Sequence, residues 1–183
     1  MKTSRFAATM QLTAICTALL TGFLVFLYIQ YGQTALLSPA ITCGTTCYHF
    51  AIRLLIGGLV PNRFDYRKPW FQPKRFETVL YKKLKLKQWK GQMPTYNPKL
   101  FSLEDNSLEQ IVCNMCQAEV VHEIIIPFSF VPMLFSSVLD GFWPFLITSV
   151  LAAAFDSLFV MLQRFNRPRI IKMLERQARR SVR

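Results

Sequence analysis

Long apolar segments separated by polar linkers dominate the hydrophobic pattern of this chain. The segments cover positions 6–30, 35–60, 118–139 and 142–163. The first contains no charged residue, and each is long enough to cross a hydrocarbon core, which takes roughly 20 helical residues. Because the lipid interior cannot satisfy open backbone groups, such segments are expected to be helices. The pattern predicts an all-α membrane protein with about four transmembrane helices.

A basic, aromatic-rich section, 61–117, separates the second apolar segment from the third. Within it, Phe76 to Trp89 contains neither Pro nor Gly and mixes lysines with apolar residues, which is typical of a basic amphipathic helix at an anionic membrane surface. Ser107, followed by an acidic and an amide residue, is a typical N-cap. We therefore expect the third long helix to begin near Leu108 and to kink at Pro127.

The basic residues are distributed unevenly between the linkers. The link between the first two spans has no Lys or Arg, and neither does the short turn predicted at Asp140–Gly141. By contrast, eleven lie between Asn62 and Gln110, and eight lie in the tail 164–183. The positive-inside rule then places both termini and the section 61–117 in the cytoplasm. We predict a single multi-pass domain, 1–183, in the cell membrane.

Composition agrees with this topology and removes two function classes. Hydrophobic residues make up 52% of the chain and charged ones 17%, against about 25% in soluble domains. The net charge of +12 lies in blocks that flank apolar spans, so topology explains it and no nucleic-acid partner is expected. The five cysteines are an odd number and include one Cys-x-x-Cys pair without a second, so we expect neither a disulfide framework nor a zinc site.

Polar residues at the start of the third span form the first candidate for chemistry. Glu119 and His122 are three residues apart and share a helix face, and Glu123 follows. One interpretation is a histidine base oriented by a carboxylate. A second is a metal site, since Glu-x-x-His recurs in di-iron bundles, but the second copy that such a site needs is missing. A third is an interfacial salt-bridged cluster.

The second and fourth spans carry isolated polar residues. His49 and Arg53 are four residues apart, so they share a face that we expect to point into the protein and to contribute to substrate binding. Asp156 lies inside the last apolar segment, where an unpaired acid is costly. Its expected partner is Arg53 or His49, and a structural ion pair and a catalytic role remain equally open.

The motif Q-R-F-N-R-P-R follows the last apolar segment directly. A rigid cluster of arginines at headgroup depth is a natural binder of phosphate or carboxylate. Ordinary anchoring by positive charge is the competing explanation, but it does not account for the Asn and the Pro. The candidate anion-binding residues are Gln163, Arg164, Asn166, Arg167 and Arg169.

Three parts of the chain form a recognisable set: the block A-E-V-V-H-E that ends at Glu123, the last span with Q-R-F-N-R-P-R, and L-K-L-K-Q-W-K-G-Q-M-P from Leu84 to Pro94. Together they resemble the glycosyl-4,4'-diaponeurosporenoate acyltransferase family of bacterial carotenoid synthesis. Their order and spacing agree with the family over about 76–174. The resemblance implies a membrane acyltransferase that moves a fatty acyl group onto a sugar hydroxyl of a glycosylated lipid, a carotenoid glucosyl ester or another glycolipid.

Acyl transfer of this kind needs a base for the hydroxyl and a stabiliser for negative charge. His122 is the expected base with Glu119 as its orienter, and the arginine motif is expected to hold a donor phosphate or the developing charge. The helix that contains Trp89 is expected to guide a lipid substrate. The expected partners are membrane lipids, the sugar-bearing acceptor and an acyl donor such as acyl-CoA or acyl carrier protein, with no other cofactor and no metal.

Two alternatives to an acyltransferase are compatible with the same topology. One is a non-catalytic membrane subunit, in which His122 and Asp156 only lock helices together. The other is a different membrane transferase, such as a lipid methyltransferase with a soluble cofactor. The alternatives differ in whether removal of His122 changes the lipids of the cell.

Overall fold

The computed structural model describes residues 5–137, 139 and 142–181, and helices dominate these ranges. The helices are α1 Arg5–Tyr31, α2 Leu37–Leu59, α3 Arg75–Lys83, α4 Leu86–Trp89, α5 Leu108–Phe128 and α6 Phe142–Ser181. Short 3-10 helices occur at Thr34–Leu36, Pro69–Phe71, Lys90–Gln92, Pro98–Phe101 and Val131–Phe135. No strand occurs in the described part of the chain, so the all-α class is confirmed. The predicted turn at Asp140–Gly141 lies outside the described residues.

Three helical segments are long and apolar enough to cross a membrane, namely Arg5–Tyr31, Leu108–Phe135 and Phe142–Arg180. α2 has 23 residues, but its threonines, His49 and Arg53 make it more polar than these three segments. It packs against α1, α5 and α6, with Thr45 and His49 buried. The polar face of α2 therefore points inward as predicted, while its passage through a membrane stays a prediction.

Contacts between the helices establish their relative directions. Tyr48 Oη donates to the carbonyl of Phe128 over 2.9 Å, and Gln117 Nε2 donates to the carbonyl of Val60 over 2.7 Å. The middle of α2 thus lies near the end of α5, and the end of α2 lies near the middle of α5, so the two helices are antiparallel. α5 and α6 are also antiparallel, which makes α2 parallel to α6.

The basic section forms two short helices instead of one. The prediction of a single helix from Phe76 to Trp89 is wrong, because Lys85 adopts a left-handed conformation with φ of 50° between α3 and α4. Such a conformation costs a non-glycine residue about 1 kcal/mol and ends the α-helical hydrogen-bond pattern. α3 exposes Phe76 and Val79 and buries Glu77, as expected of a helix whose apolar face lies on a membrane.

The boundaries of α5 follow from its caps and prolines. The Ser107 side chain accepts a hydrogen bond from the backbone of Gln110, whose side chain accepts from the Ser107 backbone, so the predicted N-cap is confirmed as a capping box. α5 ends at Phe128, one residue after Pro127, and Pro132 lies in a separate 3-10 helix. The predicted kinked helix to 139 is thus two elements, since proline cannot donate to the helical ladder.

α6 continues without a break from the apolar segment through the basic motif, although Pro168 lies inside it. The predicted end of the span near 163 is not the end of a helix. Helical geometry places Arg164 and Arg167, three residues apart, on the side that faces α5. It places Asn166 and Arg169 on a different side, so the motif is divided between two environments.

Candidate active site

A buried acid joins the three helices at the centre of the bundle. Asp156 on α6 is fully buried. One carboxylate oxygen pairs with the guanidinium of Arg53 on α2, and the other lies 2.7 Å from Nδ1 of His122 on α5. Arg53 also donates to the backbone carbonyls of His49 and Ala152. The acid is therefore paired, and it brings together two of the other sequence candidates from different helices.

The ring of His122 is held on two sides. Its plane stacks on Phe159 with centroids 4.6 Å apart and an angle of 10°, and Phe155 packs edge-on against Phe159. Within the described residues, Nδ1 is the ring nitrogen with a hydrogen-bond partner. A carboxylate at Nδ1 favours the tautomer that carries the proton there, which leaves the lone pair on Nε2. Since the side chain is 20% exposed, Nε2 is the nitrogen that a substrate can approach.

A second buried cluster lies one helical turn away. Glu119 is fully buried, and each of its carboxylate oxygens pairs with a different arginine, Oε1 with Arg164 and Oε2 with Arg167. Arg164 pairs in addition with Glu77 of α3, whose Oε1 accepts from Nε over 2.7 Å. Two arginines and two glutamates thus neutralise each other, and we refer to these four residues as the clasp.

Other guanidinium donors of the clasp bind the segment that precedes α3. Arg164 donates to the carbonyls of Trp70 and Gln72, each over 3.0 Å, and Arg167 donates to the carbonyl of Phe71 over 2.6 Å. The Arg167 guanidinium also lies 5.1 Å from the centroid of the Phe71 ring. Each contact is a charge-assisted hydrogen bond or a cation–π contact. The clasp therefore fastens this segment onto α5 and α6.

Two sequence expectations differ from this geometry. Glu119 shares a helix face with His122, but its carboxylate contacts the clasp arginines, and Asp156 occupies the place beside the imidazole. The spacing within α5 could not reveal which residues of α6 lie opposite. Arg164 and Arg167 are 9% and 1% exposed and bind partners within the fold, so their expected role as phosphate binders does not fit this arrangement.

The other candidates of the basic motif lie outside the clasp. Asn166 Oδ1 accepts a hydrogen bond of 2.8 Å from Lys90 Nζ. Arg169 is exposed, with its guanidinium carbon 4.7 Å from the centroid of the Phe165 ring. Gln163 is half-buried on α6. These positions are closer to solvent than the clasp arginines, and Arg169 is the arginine of the motif with an open surface.

The two remaining candidates, Trp89 and His49, contact residues that are close to them in sequence. Trp89 Nε1 donates to the carbonyl of Leu84 over 2.8 Å, which closes the turn that contains α4. His49 is 5% exposed, packs edge-on against Tyr48, and lies one turn before Arg53 on α2. Both side chains are thus built into the fold, and neither contacts His122 in the interactions that the structure records.

Sequence reasoning missed Glu77, Phe159 and the Trp70–Glu123 pair. Glu77 is the one acid within α3, and a lone acid in a basic helix was the available signal. Burial, followed by the nearby Glu77 carboxylate, raises the pKa of Tyr81, so this phenol stays protonated beside the clasp. Trp70 Nε1 donates to Glu123 over 2.9 Å, which ties the same segment to α5. No signal marked Phe159, because an aromatic in an apolar span is ordinary.

The described ranges contain no cluster of side chains that could bind a metal ion. No group of three or more His, Cys, Asp or Glu side chains gathers there. The five cysteines are free, and Cys116 is buried with its sulfur 3.7 Å from Arg167 Nη1. The clasp and the group of Arg53, His122 and Asp156 contain the buried ion pairs recorded among the described residues.

Comparison with known proteins gives one match. A family model described as glycosyl-4,4'-diaponeurosporenoate acyltransferase matches residues 67–176, which is more than half of the 183 residues. The matched region contains the whole clasp together with His122 and Asp156, whereas Arg53 precedes it. No curated protein and no solved structure matches the chain.

Proposed function

The chain belongs to the glycosyl-4,4'-diaponeurosporenoate acyltransferase family, and from this premise we propose that it transfers a fatty acyl group to a sugar hydroxyl of a glycosylated membrane lipid. The acceptor class is a carotenoid glucosyl ester or another glycolipid. The observation that supports this most is the His122–Asp156 pair, because the buried carboxylate fixes one imidazole nitrogen and leaves the other open.

The pair supplies a positioned general base. The hydroxyl of the acceptor sugar donates its proton to Nε2 of His122 as its oxygen attacks the acyl carbonyl carbon. Asp156 accepts the Nδ1 hydrogen, holds the ring in one orientation, and stabilises the imidazolium that forms. Arg53 offsets the carboxylate charge, so the acid is not left unpaired in the bundle. Phe159 restricts the ring to one plane.

Atoms and protons balance without a further reactant. A bond forms between the sugar oxygen and the acyl carbon, and the bond from that carbon to the donor's leaving atom breaks. The proton taken by His122 passes to the leaving group, which restores the neutral imidazole. The acyl donor is the sole co-substrate, in the class of acyl-CoA or acyl carrier protein. General acid–base assistance of this type accelerates transfer by about 10²- to 10⁴-fold.

The clasp has a positioning role in this proposal. It holds the Pro69–Phe71 turn and α3 against α5 and α6, one turn from His122. Because Glu119 and His122 lie on one helix, the clasp also fixes the axial position of α5 relative to α6. Glu119 and Arg167 therefore act through the alignment of the helices and not by contact with substrate.

A non-catalytic membrane subunit is the second candidate, and one observation favours it. Asp156 and Glu119 are fully buried and fully paired within the chain, as in an ion-pair lock between helices. The two candidates separate on His122→Gln, which keeps a polar side chain of similar size. A catalytic histidine predicts loss of the acylated glycolipid at an unchanged level of membrane protein, and a lock predicts unchanged lipids.

A further inference from the structure

A basic groove lies between α3, α4 and the part of α6 just beyond its midpoint. It encloses about 580 Å³ and is lined by Lys82, Lys85 and Lys87 on one side and by Phe165, Pro168 and Arg169 on the other. Its one carboxylate, Glu77, is already paired with Arg164. Lys85, which has a left-handed backbone conformation between α3 and α4, is itself a lining residue of the groove.

The groove has an excess of positive charge. In the stretches 5–137 and 142–181, none of its three lysines forms an ion pair, and neither does Arg169. Beside it, Lys90 Nζ and the Arg169 guanidinium carbon lie 5.2 Å and 4.7 Å from the centroid of the same Phe165 ring. Such crowding of like charges favours an anionic ligand.

The lowered pKa of Lys90 is consistent with this crowding of positive charge. Burial, then the charges of Arg169 and Lys87, lower the pKa of Lys90. Lys90 also donates to Asn166, so its ammonium group is held in place against α6. A phosphate at this position would receive charge-assisted hydrogen bonds from preorganised donors.

The cations beside the groove lie on α6 or against it, and the same helix carries Phe159, which contacts His122. Asn166 lies seven residues after Phe159, so the two side chains share a face of the helix. His122 stacks on Phe159, and Lys90 binds Asn166. At 1.5 Å per residue, the levels of Phe159 and Arg169 are about 15 Å apart. A donor held by its phosphate near Arg169 must therefore carry its acyl carbon far from that phosphate.

We propose that this groove binds the phosphate groups of a coenzyme A thioester, which serves as the acyl donor of the proposed transferase. Coenzyme A carries a diphosphate and a ribose phosphate, which suit the several unpaired cations. Its thioester lies at the end of a long pantetheine arm, which is of the length needed to cover an axial separation of about 15 Å. A glycerophospholipid carries its acyl esters only a few bonds from its phosphate, so its acyl carbon would not reach.

The transfer step then involves defined bonds. The sugar oxygen bonds to the thioester carbonyl carbon, and the carbon–sulfur bond breaks. The hydroxyl proton passes through Nε2 of His122 to the coenzyme A thiolate. The donor site and the base are separate in this arrangement, so binding of coenzyme A and chemistry can be measured independently.

The test uses the full chain in phosphatidylcholine nanodiscs, with coenzyme A as the probe in a calorimetric titration. The double variant Lys87→Gln/Arg169→Gln removes two groove cations. The matched control Lys83→Gln/Lys99→Gln removes two exposed cations that do not line the groove. We expect the first to weaken binding about tenfold or more, as charge-assisted bonds to phosphate are lost, and the control to change it less than about twofold.

Three results would overturn the donor site. Equal weakening in both double variants would indicate general attraction to the charged surface. An unchanged affinity in Lys87→Gln/Arg169→Gln would place coenzyme A elsewhere. A third result would be that coenzyme A does not bind at all. If the wild type then binds phosphatidylglycerol or an acyl carrier protein and Lys87→Gln/Arg169→Gln does not, the groove would be assigned to that ligand instead.

This proposal rests on the proposed function but fails separately from it. His122→Gln should bind coenzyme A like the wild type, because His122 lies outside the groove. If His122→Gln keeps full transferase activity while the groove variants lose coenzyme A, the catalytic assignment is wrong and the donor site stands. If transfer depends on His122 while coenzyme A does not bind, only the donor site is wrong.

Discussion

His122 Nδ1 lies 2.7 Å from a carboxylate oxygen of Asp156, and these two residues come from antiparallel helices. The same carboxylate is paired with Arg53, so its charge is balanced within the bundle. A histidine fixed in this way has one nitrogen committed to structure and one open. This relationship distinguishes a base from a histidine that merely fills space.

Replacement of the acid tests its positioning role. Asp156→Asn keeps the size of the side chain but removes the charge that stabilises a protonated His122. We expect kcat to fall about 10²-fold or more with little change in the acceptor KM. Steady-state kinetics on purified enzyme measure both parameters. A rise in KM at unchanged kcat would show that Asp156 acts in acceptor binding.

Replacement of Arg53 tests the charge balance. Arg53→Met leaves Asp156 buried without its cation, and we expect the free energy of unfolding to fall by about 3–5 kcal/mol. Arg53→Lys should lose less, since it keeps the charge but not the bonds to two backbone carbonyls. Denaturant titration in detergent measures the difference. Equal stability of Arg53→Met and the wild type would contradict the claim that Arg53 balances the buried charge of Asp156.

The clasp should affect stability more than chemistry. Glu119→Gln leaves Arg164 and Arg167 with a single buried carboxylate, so we expect a loss of about 3–5 kcal/mol. Glu109→Gln on the same helix alters an exposed acid in the first turn, whose interaction with the helix dipole is worth about 0.3–1 kcal/mol, so it should change stability by less than about 1 kcal/mol. The folded fraction of Glu119→Gln should retain a kcat within a few-fold of the wild type. A selective loss of kcat at normal stability would restore Glu119 as a catalytic candidate.

The left-handed residue between α3 and α4 gives a prediction for the backbone. Lys85→Gly relieves a positive φ, and we expect it to raise stability by about 0.5–1 kcal/mol. Lys82→Gly, inside α3, should lower stability by about 1 kcal/mol. Melting temperatures of the two variants provide the comparison. Destabilisation of the same size at both positions would mean that the turn at Lys85 is not left-handed.

Much of the fold could be predicted from hydrophobic pattern and caps. Ser107 marks the start of α5 because its capping box is local in sequence. Arg53 was one of two partners suggested for Asp156, because a buried acid in an apolar helix needs a cation. The break at Lys85 could not be predicted, since the residues from Phe76 to Trp89 include no helix breaker.

The assignment of carboxylates to partners required the structure. Glu119 and His122 share a face, but which residues meet them depends on the axial position of α6 against α5. Glu77 and Arg164 are distant in sequence, so their pairing depends on how the segment before α3 folds back. As a result, the role assigned to the arginine motif differs from the one expected from the sequence. Two of its arginines hold the fold together, while Arg169 and Asn166 remain near an open basic groove.

The most direct measurement compares acylated glycolipid in cells that produce the wild type, His122→Gln or Glu109→Gln at equal membrane levels, together with a glycosylated lipid acceptor. Mass spectrometry of lipid extracts quantifies the product. We expect His122→Gln to reduce it about 100-fold or more and Glu109→Gln to leave it unchanged. Equal amounts of acylated glycolipid with His122→Gln and with the wild type would contradict the central claim that His122 is the catalytic base.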